Sequence, residues 1–302
     1  MISILNYITW NVSPYIYEGD HFAIGWYGTL WTLGLIGMLI TLLVTFKHDG
    51  VPSQFALITF MVSLVCVIFF GHLFQGLFYE WYYSPNNPWS FLGIDFAYRN
   101  HYFEHPCRFF DITHGGFASH GCVAGVLLSG SILEKPLNCN RWYVIDRAMM
   151  GLFWIAIAVR IGNIINNEIY GIETTLPWGF IFGDNTYASH PTQIYEILSY
   201  VLALGLGWWL FLYKEGGHYK GLIAATIMTT VMLLRIAIEF IKLPQMAIEQ
   251  NWVINMGQWL SIPFAIWAIW LLFYATEQGK QNYLLPQLKI SRAEKRRANK
   301  KK

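Results

Sequence analysis

A chain of 302 residues that is 55% hydrophobic, 18% aromatic and only 13% charged, with a mean hydropathy of +0.37, is too apolar for a domain that lives in water. Its formal charge of +2 conceals an uneven distribution, because nine of its twenty lysines and arginines fall in the last 23 positions. The four cysteines, Cys66, Cys107, Cys122 and Cys139, form no CxxC pair and no zinc-ligand spacing, so they read as small core residues, and no disulfide or metal is expected.

The first twenty residues lack a basic start, a continuous apolar run and a small-residue cleavage site, so no removable signal peptide is expected. Seven apolar stretches follow, each near the ~20 residues that cross a bilayer as a helix: 22–46, 56–79, 112–133, 142–165, 193–213, 220–243 and 256–276. The fold class is therefore an all-α polytopic membrane bundle of about seven transmembrane helices. The third stretch has the weakest hydropathy, with Gly115, Gly116, Ser119, Gly121 and Gly125, a spacing that suits close helix packing; a six-span arrangement is the alternative. Counted loop by loop, fifteen basic residues fall on one side and three, Arg99, Arg108 and Lys242 at the outer end of its span, on the other, which puts the N-terminus outside and the C-terminus inside. Residues 1–279 then form a transmembrane domain, in which 80–111, rich in Trp and Tyr, caps the outer face. Residues 280–302 form a basic cytoplasmic tail drawn to anionic headgroups.

A charge near the bilayer centre costs roughly 2.5–3.5 kcal/mol on insertion scales, so Arg160, Arg235 and Glu239 need partners or a function. The spans carrying them run outward, which sets Arg160 with Asn163, and Arg235 with Glu239, in the outer third of the membrane. The third span runs inward from His114 and His120, and Tyr27 lies early in the first. One shared cavity near the outer leaflet is the expectation. Asn163 and Asn167 share a face with Arg160 if that helix continues, and Arg235 and Glu239, four apart, are able to pair. A single glutamate does not neutralise two arginines, whereas a phosphate does, bidentately; an anionic phospholipid headgroup is the natural ligand. His120 reads either as a packing residue or as a base. No HExxH, GxSxG or P-loop occurs, which argues against zinc hydrolysis, a serine hydrolase elbow and nucleotide-driven pumping, and neither a cofactor nor a nucleic-acid partner is expected.

Six segments in order, Trp26-Tyr27-Gly28, Ser119-His120-Gly121, Arg160 through Gly171, His190-Pro-Thr-Gln193-Ile-Tyr195-Glu196, Arg235 through Phe240, and Asn255 through Pro263, resemble the prolipoprotein diacylglyceryl transferase family. The resemblance implies a bacterial inner-membrane enzyme with its site toward the periplasmic leaflet. Such an enzyme moves the diacylglyceryl group of phosphatidylglycerol to the lipobox cysteine of a prolipoprotein signal peptide, releasing glycerol phosphate. By match to the family's motifs, Arg160 and Arg235 would hold the lipid phosphate and His120 would be the thiol base. Tyr27, Asn163, Glu168 and Glu239 would complete the essential site, with Gly121 and Gly171 shaping it. The chain departs from the family pattern at Val159, Asn167, Cys122, His72 and Val231. The competing reading is a seven-span lipid or solute transporter that uses the same arginines to bind an anion, although no internal repeat is visible.

Overall fold

The computed structural model describes residues 7–84, 89–91, 94–96, 98–111, 116–245, 249 and 252–280. Three short strands, β1 (Ile8–Trp10), β2 (Tyr15–Glu18) and β3 (Ala23–Gly25), precede α1 (Trp26–His48) and α2 (Ser53–Phe78). Four more, β4 (Trp81–Tyr83), β5 (Trp89–Phe91), β6 (Ile94–Phe96) and β7 (Tyr98–Asn100), lead through the one-turn α3 (His101–Glu104) to α4 (Ser119–Glu134) and α5 (Arg141–Ile165). After β8 (Phe180–Phe182) come α6 (Thr192–Tyr213), α7 (Leu222–Glu239) and α8 (Met256–Gln278).

Among the described residues, α1, α2, α5, α6, α7 and α8 are the six helices long and apolar enough to span a bilayer, so the chain is a polytopic helical membrane protein. The expected third span, 112–133, takes a different form. Residues 112–115, His114 among them, lie outside the described residues, and helix α4 begins only at Ser119. Its 16 residues reach ~24 Å at 1.5 Å per residue, against a hydrocarbon core of about 30 Å. The start is recessed: the Ala118 amide donates to the Gly71 carbonyl at 3.0 Å, well before the end of α2. Glycines explain how so weakly apolar a helix holds its place. A Cβ at Gly121 would lie 2.1 Å from the Phe70 carbonyl oxygen, and one at Gly125 would lie 2.5 Å from that of Cys66, so α4 and α2 approach backbone to backbone.

Helix α5 is the centre of the bundle: 72% of its apolar window is buried, against 28–56% for the other five, and it packs against α1, α4, α6 and α7. The outer helices keep apolar stripes facing away from the protein, as at Leu33, Ile36, Ile40 and Val44 on α1. Polar ties sit at both ends of α5. At its start, Arg147 and the Tyr143 hydroxyl (2.9 Å) bind Asp49 in the α1–α2 link. There too Asp146 Oδ1 accepts from the Ala224 amide at 2.8 Å, supplying the first turn of α7 with a partner from another helix. At its far end, Trp10 Nε1 donates to the Ile164 carbonyl at 2.7 Å, and β1 pairs in parallel with β8.

In the 80–111 segment β4 pairs with β7 and β5 with β6, both antiparallel. Asn100 fastens the segment to α2, donating to the Gly76 carbonyl at 2.8 Å while its oxygen caps α3. The cysteines divide. Cys66 and Cys139 are buried as expected, and Cys122 packs against the core while bordering a cavity, but Cys107 is exposed in a short 3-10 helix, so for it the core reading is corrected. The basic tail beyond Lys280 lies outside the described residues.

Candidate active site

Arg160 and Arg235 come from different helices, α5 and α7, and both are almost fully buried. They meet at Glu196, in the second turn of α6: Arg160 Nε is 2.7 Å from Oε2 and Arg235 Nη1 is 2.9 Å from Oε1. Lys242 Nζ reaches the same Oε1 at 3.1 Å. Glu239 is more loosely held, with Arg235 Nη2 and Lys242 Nζ each 3.8 Å from its Oε2. The expected Arg235–Glu239 pair is therefore present but is the weaker partnership. Two expectations are corrected here. Lys242, counted among the outer-loop cations, is a buried member of the cluster, and the arginines are countered by a second glutamate. Glu196 was missed although it lies inside the span expected over 193–213; an acidic residue at that depth was the available signal. Three cations against two carboxylates still leave the buried cluster at +1.

Helix α5 ends at Ile165 with Asn166 as its C-cap, so Asn167 does not continue the Arg160 face as the helical spacing suggests. The chain instead turns sharply, with Asn167 at φ +56° and Ile169 at φ +60°. This turn returns Glu168 to the end of α5. Arg160 Nη1 donates to Asn163 Oδ1 at 2.9 Å, and Asn163 Nδ2 donates to Glu168 Oε2 at 3.0 Å, so guanidinium, amide and carboxylate form one chain. The intervening Gly162 has a steric reason: a Cβ there would lie 2.7 Å from Tyr27 Cδ2, so the missing side chain lets the Tyr27 ring lie against α5 beside Arg160. Gly171 serves similarly. Its Cβ would lie 2.4 Å from the Ile241 carbonyl oxygen, and its amide donates to the His190 carbonyl at 2.8 Å, which ties the turn to the segment around Lys242 and to the entry of α6. Burial pushes the imidazole of His190 below its ordinary pKa.

Five of these groups border one cavity of about 360 Å³, within the usual size range for a small-molecule site. Arg160, Asn163, Glu168, Arg235 and Tyr27 supply polar edges, while Val67, Leu152, Val231 and Met232 are among its apolar walls. Glu239 is buried behind Arg235, packed so tightly on α8 that a Cβ at Gly257 would lie 2.6 Å from its Cδ. His120 does not border the cavity, although its neighbours Ser119 and Cys122 do. Its ring is fully buried, with Nε2 2.9 Å from Ser261 Oγ. Ser261 spends its own proton on the Gly257 carbonyl at 2.6 Å, so His120 is the donor, through Nε2–H, and Nδ1 carries the lone pair.

The family model described as prolipoprotein diacylglyceryl transferase matches residues 14–274. Among the most similar curated relatives is the phosphatidylglycerol–prolipoprotein diacylglyceryl transferase of Chloroherpeton thalassium, 30% identical over 281 residues that cover 91% of this chain and 97% of the relative. The protein of the same name from Porphyromonas gingivalis is 32% identical over 290 residues, covering 90% and 95%. That of Tolumonas auensis is 30% identical over 277 residues, covering 89% and 98%.

Proposed function

The chain belongs to the prolipoprotein diacylglyceryl transferase family, and from that premise we propose that it transfers the diacylglyceryl group of phosphatidylglycerol to the lipobox cysteine thiol of a prolipoprotein. The observation that carries this reading is the pair of arginines, from α5 and α7, held by one carboxylate at the edge of a cavity with both polar and apolar walls. An apolar wall suits the glyceride end of a lipid, and guanidinium groups suit its phosphate. Both guanidinium groups border the cavity, where they meet a ligand that brings negative charge. As the bond between glycerol C3 and the phosphate oxygen breaks, charge grows on the leaving glycerol phosphate. Fixed cations in a water-poor site stabilise that growth without reorganising. Among the described residues nothing favours the competing transport reading.

Tyr27, Asn163, Glu168 and Glu239 belong to this site in our reading, and Gly121 and Gly171 shape it by permitting close backbone approach. Of the two roles open to His120, its place between α4 and α8 supports a scaffold. We also infer that α4 counts as a seventh crossing. It starts beside Gly71 in the last third of α2 and ends one short link from α5, whose first turns hold the α1–α2 link through Asp49, so it runs the length of most of the bundle. An odd number of crossings separates the termini. With the basic excess inside, the N-terminus is outside, the tail is cytoplasmic, the 80–111 segment caps the periplasmic face, and the site faces the outer leaflet of the inner membrane. The test is direct: purified protein is incubated with phosphatidylglycerol labelled in its acyl chains and a lipobox peptide. A labelled thioether on the peptide cysteine is expected; lipid movement across vesicles without thioether would refute the transferase reading.

A further inference from the structure

A thiol with a pKa of ~8.5 must lose its proton before or as it attacks carbon, and the cavity contains one carboxylate placed to take it. Glu168 lies at the cavity edge and is exposed, whereas Glu196 and Glu239 are buried and committed to cations. Its side chain is oriented twice, by Asn163 Nδ2 at 3.0 Å on Oε2 and by Asn166 Nδ2 at 3.2 Å on Oε1. No described residue forms an ion pair with it, in contrast to the two buried glutamates.

The backbone points the same way. Glu168 is bracketed by two non-glycine residues in the left-handed region, Asn167 at φ +56° and Ile169 at φ +60°. Asparagine tolerates that region, but for a β-branched isoleucine it is a genuine outlier that costs on the order of 1–3 kcal/mol and persists only where the surroundings enforce it. Here they do. The fully buried Gln193 donates from Nε2 to the Glu168 carbonyl at 2.6 Å, the Thr192 hydroxyl donates to the Ile169 carbonyl at 2.9 Å, and the Glu168 amide returns to the Asn163 carbonyl at 2.9 Å. Three hydrogen bonds to α5 and α6 thus hold a strained turn that sets the Glu168 carboxylate at the edge of the cavity. His120, whose ring is turned to Ser261 outside the cavity wall, is not so placed.

We propose that Glu168 is the proton acceptor of the transfer reaction, an inference that rests on the transferase reading above. The thiol proton passes to Glu168, the sulfur electron pair forms the bond to glycerol C3, and the bond from C3 to the phosphate oxygen breaks with its electrons remaining on the phosphate. Arg160, joined to Glu168 through Asn163, faces the charge that develops there. Glu168, being exposed, then gives the proton to water.

The test compares two lipobox peptides, one with cysteine and one with selenocysteine, whose selenol is already ionised at neutral pH and needs no base. The readout is the ratio of the selenocysteine rate to the cysteine rate in wild type, Glu168→Gln and Glu168→Asp, each reconstituted with phosphatidylglycerol. Glu168→Gln should slow the cysteine peptide by about a hundredfold or more, the usual range for loss of a general base. The rate ratio should rise at least tenfold over wild type in Glu168→Gln, and by a smaller factor in Glu168→Asp, whose carboxylate is one methylene short. The cysteine rate of Glu168→Gln should also climb with pH toward the thiol pKa. Equal slowing of both peptides, with the ratio unchanged in whichever variant folds, would overturn the proposal and leave Glu168 a structural residue. Failure of the wild type with both peptides would instead count against the transferase reading.

Discussion

Replacing Glu196 by glutamine removes one charge from the point where three cations converge. At an effective dielectric of 20, each contact near 3 Å carries about 5 kcal/mol of gross attraction, most of it spent on desolvating the partners. What remains visible on breaking a buried ion pair is about 3–5 kcal/mol, because the abandoned cations stay buried. Glu196→Gln takes the cluster from +1 to +2, leaving Arg160, Arg235 and Lys242 to repel one another across α5, α7 and the segment that follows α7. The variant should unfold about 3–5 kcal/mol more easily in mixed micelles and lose most of its turnover, since the two guanidinium groups no longer share an anchor. Lys242→Gln should also destabilise, by stripping Glu196 of one partner. The double variant should be less damaged than the two losses summed, with a coupling of about 1–3 kcal/mol, because it removes one charge of each sign. Denaturant unfolding of the four proteins and binding of phosphatidylglycerol to each give the cycle. Wild-type stability and lipid affinity in Glu196→Gln, or a coupling of zero, would refute the convergence of charge on this residue.

Arg160→Lys and Arg235→Lys should each remove most activity while leaving insertion and folding intact, since an ammonium cannot reproduce a planar bidentate donor; near-normal turnover in either would end the phosphate-holding role. His120→Gln should keep activity within about tenfold of wild type, well short of a lost general base, with an unchanged pH profile. A hundredfold fall that higher pH rescues would return the base to His120. In a background without the native cysteines, Thr186→Cys, at an exposed position between α5 and α6, should react with an impermeant thiol reagent outside intact cells, whereas Asn299→Cys in the basic tail should react only after the membrane is opened. The reverse pattern would invert the topology and move the site to the cytoplasmic leaflet.

The sequence by itself determined the class of the molecule, because hydropathy over ~20 residues and the one-sided distribution of lysine and arginine depend on composition and not on contacts. It also determined that Arg160 and Arg235 are special, since a charge at membrane depth stands out without any knowledge of its neighbours. Ordered motifs carried the family, with Gly162 and Gly171 already in place. What it did not determine were the distances between helices. Glu196 is one carboxylate in a mostly polar entry to a helix until α5, α7 and Lys242 are packed around it, and Lys242 reads as a loop cation until the same packing buries it. Helix periodicity extends α5 through Asn167, but bonds from Gln193 and Thr192, more than twenty residues away, hold the left-handed turn that sends Glu168 back to the cavity. The orientation of His120 was likewise undecided, because a ring on α4 has several directions open to it and the choice was made by Ser261 on α8, 141 residues further along the chain. Tertiary packing decides such matters because the groups that fix a side chain's direction come from segments whose separation no local pattern records.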